Sequence, residues 1–206
     1  LRNPTFWAFS TLTMATYGGL LTFLAASPFV FTQLIGLSKS QYGMLMLINS
    51  LAYISGSFLC RHWLARFGVR RTVARAGALS LVGGVLMAGL SLLGFVDVWS
   101  IMVPQLLYMI GHGIHQSCGQ SGSVGPFPKA AGAASALNGT LMMLCAFAMG
   151  SWLGQHMDGT VLPLTLGVGF WSILLALSAW TLVQWYGEPA HDGTSLRSDL
   201  QTALSE

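Results

Sequence analysis

The sequence predicts an all-α membrane protein, a bundle of six transmembrane helices, on three observations. Of 206 residues, 53% are hydrophobic and only 7% are charged. Soluble domains carry roughly 25% charged residues, so this chain cannot cover a water-facing surface. The apolar residues gather into six runs, each near the ~20 residues that cross a ~30 Å hydrocarbon core. The basic residues then fall almost wholly on alternate connections. That placement reads as membrane topology, not nucleic-acid binding, despite a pI near 9.0.

The runs cover about 6–31, 42–64, 73–96, 101–121, 130–153 and 162–185. In lipid each must be helical, because backbone N–H and C=O groups have only one another as partners. Breaks are expected where turn residues cluster, at 36–40, Phe67-Gly68, 125–128 and Asp158-Gly159. Ser27-Pro28 marks either a bend or an end of the first run. Residues 1–186 thus form one transmembrane domain, and the polar segment 187–206 is expected to be a disordered tail. The chain opens on Leu1 instead of Met, which suggests a piece of something longer. The first run has the length of a full span, not of a cleavable leader.

Orientation follows from the cations. Arg61, Arg66, Arg70, Arg71 and Arg75 lie between runs two and three, Lys129 between runs four and five, Arg2 before run one and Arg197 after run six. Only Lys39 falls on the other side. The positive-inside rule makes the arginine-rich side cytoplasmic, with both termini there, in a cell (inner) membrane. Trp99, Trp152, Trp185 and Tyr186 sit near run ends, where interfacial aromatics gather.

Aspartate and glutamate are absent from every run, so a carboxylate proton relay must come from elsewhere. Uncharged polar groups concentrate on runs one, two, four and five, which are expected to face an interior, with three and six toward lipid. On run four, Gln105, Tyr108, His112, His115 and Gln116 fall within an arc of about 100°. Tyr17 is central in run one, Asn49 and Tyr53 are a turn apart in run two, and Asn138 lies on run five. Two readings stand: these nine residues line a wet cavity and bind substrate, or they bond neighbouring helices together. His112 or His115 would also offer a titrating group. Gly150 and Gly154 form a GxxxG that permits close helix approach. Cys60, Cys118 and Cys145 lie in apolar runs without paired spacing and read as buried thiols; no metal or cofactor is expected.

The connection Leu64-Ala65-Arg66-Phe67-Gly68-Val69-Arg70-Arg71 resembles the loop signature of the major facilitator superfamily, usually D-R-x-G-R-R. Ala65 stands where Asp is usual and Val69 where a basic residue is usual. Arg66, Gly68, Arg70 and Arg71 match. Membrane-edge snorkelling accounts equally for these arginines. Further matches are Ala26-Ser27-Pro28-Phe29-Val30-Phe31, Gly36-Leu37-Ser38, Gln41-Tyr42-Gly43 and the stretch from Pro126-Phe127-Pro128-Lys129 to Ser135-Ala136-Leu137. Together they resemble the second half of a Bcr/CflA-type drug-resistance transporter, a drug:proton antiporter branch of that superfamily.

The resemblance implies half of a major-facilitator fold, its runs corresponding to helices seven to twelve. It implies alternating-access efflux of small amphipathic drugs or metabolites, with protons as the coupling ion. The partners expected are a small-molecule substrate, the lipid bilayer, and a missing N-terminal six-helix half or a second copy; no nucleic acid is expected.

Two alternatives are a non-transporting scaffold and a rhomboid-like intramembrane serine protease. The second rests on Gly119-Gln120-Ser121-Gly122 in run four. A serine nucleophile needs a histidine base. Run six has none, and His112 and His115 share the serine's own helix at the wrong axial distance.

Overall fold

Helices in this chain start where a polar side chain can accept the free N–H groups of a first turn. Asn3 accepts from the amides of Thr5 (2.9 Å) and Phe6 (3.3 Å), and Pro4 opens α1, Pro4–Phe29. Ser38 and Gln41 cap α2, Lys39–Leu92, reciprocally. Asp97 and Ser100 do the same for α3, Val98–Val124. A short 3₁₀ turn, Pro128–Ala130, leads into α4, Ala131–His156. Helix α5, Leu162–Trp180, and the short α6, Leu182–Tyr186, follow. These elements come from a computed structural model that describes residues 3–187, and among the described residues every regular element is helical. The expected tail from 188 onward, with Arg2 and Arg197, lies outside the described residues.

Helix α2 has 54 residues, about 80 Å if straight, far beyond the ~30 Å that a single crossing needs. It is not straight. Gly68 sits at φ 71°, ψ 176°, a region that only glycine enters without strain, and divides α2 into arms 39–67 and 69–92. The arginines cluster at this break. The guanidinium of Arg75 lies 3.5 Å from the Phe67 ring centroid and 6.0 Å from that of Trp63, and the Arg70 carbonyl accepts from Gln184 Nε2 at 3.0 Å. Arg66 and Arg71 are exposed and Arg70 is half-buried.

Four helical stretches are long and apolar enough to cross a membrane: Pro4–Leu34, Lys39–Leu92, Pro128–His156 and Leu162–Tyr186. The chain is therefore a membrane helical bundle. Six separate crossings are not counted on this criterion. The long α2 counts once although it is broken, and α3, at 27 residues, carries Gln, His and Tyr side chains that dilute its apolarity.

Pro28 does not end the first helix. The chain continues through it into a π-helical turn, Val30–Leu34, and Thr32 Oγ1 donates back to the Pro28 carbonyl at 2.7 Å. The Asp158-Gly159 connection is a tight turn in which the Thr160 hydroxyl (2.7 Å) and amide (3.0 Å) donate to Asp158. Those bonds, the side-chain one foremost, hold the exposed Asp158 carboxyl below its usual range.

Packing centres on α3, which lies against both arms of α2. A Cβ added at Gly56 would meet the Ile110 carbonyl, and one at Gly113 the Tyr53 carbonyl and the Ser57 nitrogen (2.9 Å). On the other arm, a Cβ at Gly83 would come 2.6 Å from the Pro104 carbonyl. Small residues thus let these backbones touch, as membrane helices require when water supplies no driving force between them. By contrast, Gly150 and Gly154 meet nothing within 4 Å. That GxxxG serves no close approach among the described residues, because it lies on an exposed part of α4.

Helix α5, which the sequence assigns to the lipid side, faces outward on one side only. Leu166, Phe170, Ile173 and Leu177 are exposed, while Leu164, Val168, Leu175 and Ala179 are buried. Its inner side meets α1, where Gly18 lies under Trp171, and the second arm of α2, where Gly84 lies under Ser172. Overpacking of such contacts costs about 1–3 kcal/mol. Gly113→Val should therefore lower the thermal stability of the purified chain by that order, whereas Gly139→Val, facing open space, should not lower it.

Candidate functional site

Three helices meet around one groove of about 560 Å³. Helix α1 contributes Tyr17, Leu20 and Leu24. The first arm of α2 contributes Asn49, Ser50, Tyr53 and Ile54, and α3 contributes Met109, His112 and Gln116. Helical spacing explains each set, since Tyr17, Leu20 and Leu24 succeed one another at three and four residues, as do Met109, His112 and Gln116.

His112 is the hub. Its ring centroid lies 5.5 Å from that of Tyr53 and 6.3 Å from that of Tyr17, both tilted about 40°. Its Nδ1 is 2.8 Å from Thr16 Oγ1, a hydrogen bond that fixes the ring from behind. Only 2% of His112 is exposed, so the imidazole forms the floor and the two half-buried tyrosines form the walls. Asn49 Oδ1 and Gln116 Oε1 are buried acceptors without a hydrogen-bond partner. Buried amide oxygens of that kind cost free energy unless something donates to them. The groove therefore offers two unpaired acceptors, two phenols and one imidazole on otherwise apolar walls.

Five of the nine residues expected at a cavity, Tyr17, Asn49, Tyr53, His112 and Gln116, share this groove. The other four do not line it. Tyr108 is fully buried and donates to the Thr16 carbonyl at 3.0 Å. His115 is fully buried on the other side of α3, with Nε2 3.4 Å from the Val73 carbonyl. Gln105 is fully buried, and neither amide atom has a partner. Asn138 joins three helices: Thr13 Oγ1 donates to its Oδ1 at 3.0 Å, and its Nδ2 donates to Gln120 Oε1 at 3.4 Å. For the three on α3 the reason is geometric. An arc of about 100° on a helix touches more than one neighbour, and here its edges face α1 and the second arm of α2.

Sequence reasoning missed Thr16, Ser50 and the apolar wall of Leu20, Leu24, Ile54 and Met109. Helical spacing from Tyr17 and His112 could have supplied most of the wall; nothing in the sequence marks Thr16 as the partner of an imidazole. Ser121, the candidate nucleophile, donates to the carbonyls of Ser117 (2.9 Å) and Cys118 (3.2 Å) on its own helix. No group of three or more His, Cys, Asp or Glu that could hold a metal occurs among the described residues.

A groove that mixes polar groups with apolar walls, in an apolar helical bundle, fits a multi-pass membrane protein. Comparison with known proteins adds the relationship. The chain is 26% identical over 190 residues to multidrug resistance protein D of Escherichia coli, covering 91% of this chain and 48% of that one. It is 22% identical over 169 residues to a bicyclomycin resistance protein homolog of Haemophilus influenzae, covering 81% and 42%. It is 24% identical over 177 residues to multidrug resistance protein MdtL of E. coli, covering 86% and 41%. These relatives bear out the resemblance to Bcr/CflA-type drug-resistance transporters carried by the motifs. The chain spans less than half the length of the curated relatives it matches. No protein-family model matches it, and no solved structure matches it significantly.

The Asn138 node yields a prediction. Interhelical hydrogen bonds in membranes average about 0.6 kcal/mol in double-mutant cycles. Pairing Thr13→Val with Asn138→Leu should give a coupling of that size in equilibrium unfolding of the purified chain; strictly additive losses would contradict the contact.

Proposed function

We propose that this chain is half of a secondary active efflux transporter, equivalent to helices seven to twelve of a major facilitator. It takes small amphipathic drugs or metabolites and moves them by alternating access. One observation carries the reading: the groove of Tyr17, Asn49, Tyr53, His112 and Gln116 lies on one side of the bundle and mixes aromatic faces with open hydrogen-bond acceptors. Such a surface suits a ligand with a flat apolar body and a few donors. It is also a half-site, as expected where substrate binds between two repeats.

The relatives support the reading, since all three are resistance proteins more than twice the matched length. In this proposal α1, the two arms of α2, α3, α4 and α5–α6 make six crossings, and the arginine-rich break at Gly68 is cytoplasmic, as are both ends. The second half covers apolar side chains that the bundle leaves bare, among them Met44 and Leu47 of α2 and Met143 and Phe147 of α4. Proton coupling then draws on an acidic residue of that other half, because the described crossings contain no Asp or Glu.

The test is dye efflux from cells expressing the chain joined to a six-helix partner half. Aromatic contacts are worth about 0.5–1.5 kcal/mol. Tyr53→Ala should therefore weaken efflux roughly twofold to twelvefold, while Phe170→Ala, on the lipid side of α5, should not. Equal effects of the two changes would refute the groove as the substrate site.

A further inference from the structure

Cys60 and Cys118 take no part in the groove, yet they sit opposite each other across the contact between the first arm of α2 and α3. Their sulfurs are 3.5 Å apart. Both residues are buried, and Cys60 Sγ also lies 3.8 Å from the Ile114 carbonyl. Cys145, in contrast, donates to a backbone acceptor, the Met14 carbonyl at 3.6 Å. Cys60 differs from Cys118 in one further respect. It belongs to the wall of a second cavity of about 440 Å³, formed with Ile54, Ser57, Phe58, Arg61 and Leu64 of α2 and Ser117 of α3.

We infer that Cys60 and Cys118 form a dithiol modification site that takes a small, membrane-permeant two-electron oxidant of the peroxide or azo class and closes to an interhelical disulfide. This site is independent of the transport reading. A disulfide needs its sulfurs at about 2.05 Å, so closure from 3.5 Å requires a shift of about 1.5 Å shared by the two side chains. With peroxide, Cys60, reached through the cavity, is oxidised to a sulfenic acid while one oxygen leaves as water. The sulfur of Cys118 then displaces the second oxygen, also as water, and the S–S bond forms. With an azo oxidant, two thiol hydrogens pass to the N=N bond, giving a hydrazine and the same disulfide.

The consequence is mechanical. Cys60 lies two turns beyond Tyr53, and Cys118 two residues beyond Gln116. A bond between them ties the α2 wall of the groove to its α3 wall, fixing their separation until a reductant restores the thiols.

The experiment exposes the chain, in membrane vesicles, to diamide, followed by denaturation in the presence of an alkylating agent and non-reducing peptide mass analysis. The expected result is a Cys60–Cys118 linked peptide lighter by two hydrogens, removed by dithiothreitol, with Cys145 still alkylated. In the Cys118→Ser chain, peroxide should leave a sulfenic acid at Cys60 that dimedone traps, and in the Cys60→Ser chain Cys118 should stay unmodified. Full alkylation of both thiols after diamide, or disulfides linking separate chains instead, overturns the inference. The diamide reaction of the wild-type chain decides between these outcomes even if either serine variant folds poorly.

Discussion

The groove depends on how closely α3 approaches the two arms of α2. That approach is backbone against backbone, with Gly56 facing the Ile110 carbonyl, Gly113 facing the Tyr53 carbonyl and Gly83 facing Pro104. Side chains of ordinary size at these positions would push the helices apart and carry Tyr53 away from His112. The contact is available to both arms because Gly68 turns the chain back on itself at a positive φ. One conformational requirement at Gly68 and a few absent Cβ atoms thus place the aromatic floor and walls.

Polarity is distributed in two ways around that contact. Where it is paired, it joins helices: Thr13, Asn138 and Gln120 link α1, α4 and α3, and Ser91 donates to Thr165 at 2.7 Å between α2 and α5. Where it is unpaired and near the open side, at Asn49 and Gln116, it forms the acceptor set of the groove. The two readings that the sequence leaves open, cavity wall and interhelical glue, are therefore both realised, on different residues of one stripe. The outer faces of α4, α5 and the first arm of α2 carry Phe147, Phe170, Phe58 and their neighbours bare, as a bilayer or a second apolar surface requires.

Much of this is legible in the sequence, because membrane helices obey strong compositional rules. Single glycines beside turn residues mark the breaks near 36, 68 and 159, where the backbone takes positive φ. The polar stripe on α3 and the tyrosines of α1 and α2 can be found by periodicity alone. What periodicity cannot give is the identity of the neighbour. His112 and His115 look equivalent in sequence, yet one faces two tyrosines and the other a carbonyl of α2. Likewise the GxxxG of α4 has the spacing of a packing motif and meets nothing within 4 Å among the described residues, while the glycines that do matter, Gly56 and Gly113, belong to no such motif.

If the groove is a site, water reaches Asn49, Tyr53 and Gln116 from one side of an apolar bundle. Single cysteines at these positions, in a chain whose three native cysteines are replaced by serine, can be probed in vesicles with a membrane-impermeant maleimide. Rapid labelling is expected for Asn49→Cys and Gln116→Cys, and none for Phe170→Cys or Ile173→Cys. Uniform protection of the groove positions would contradict this and leave a closed helical bundle with no site.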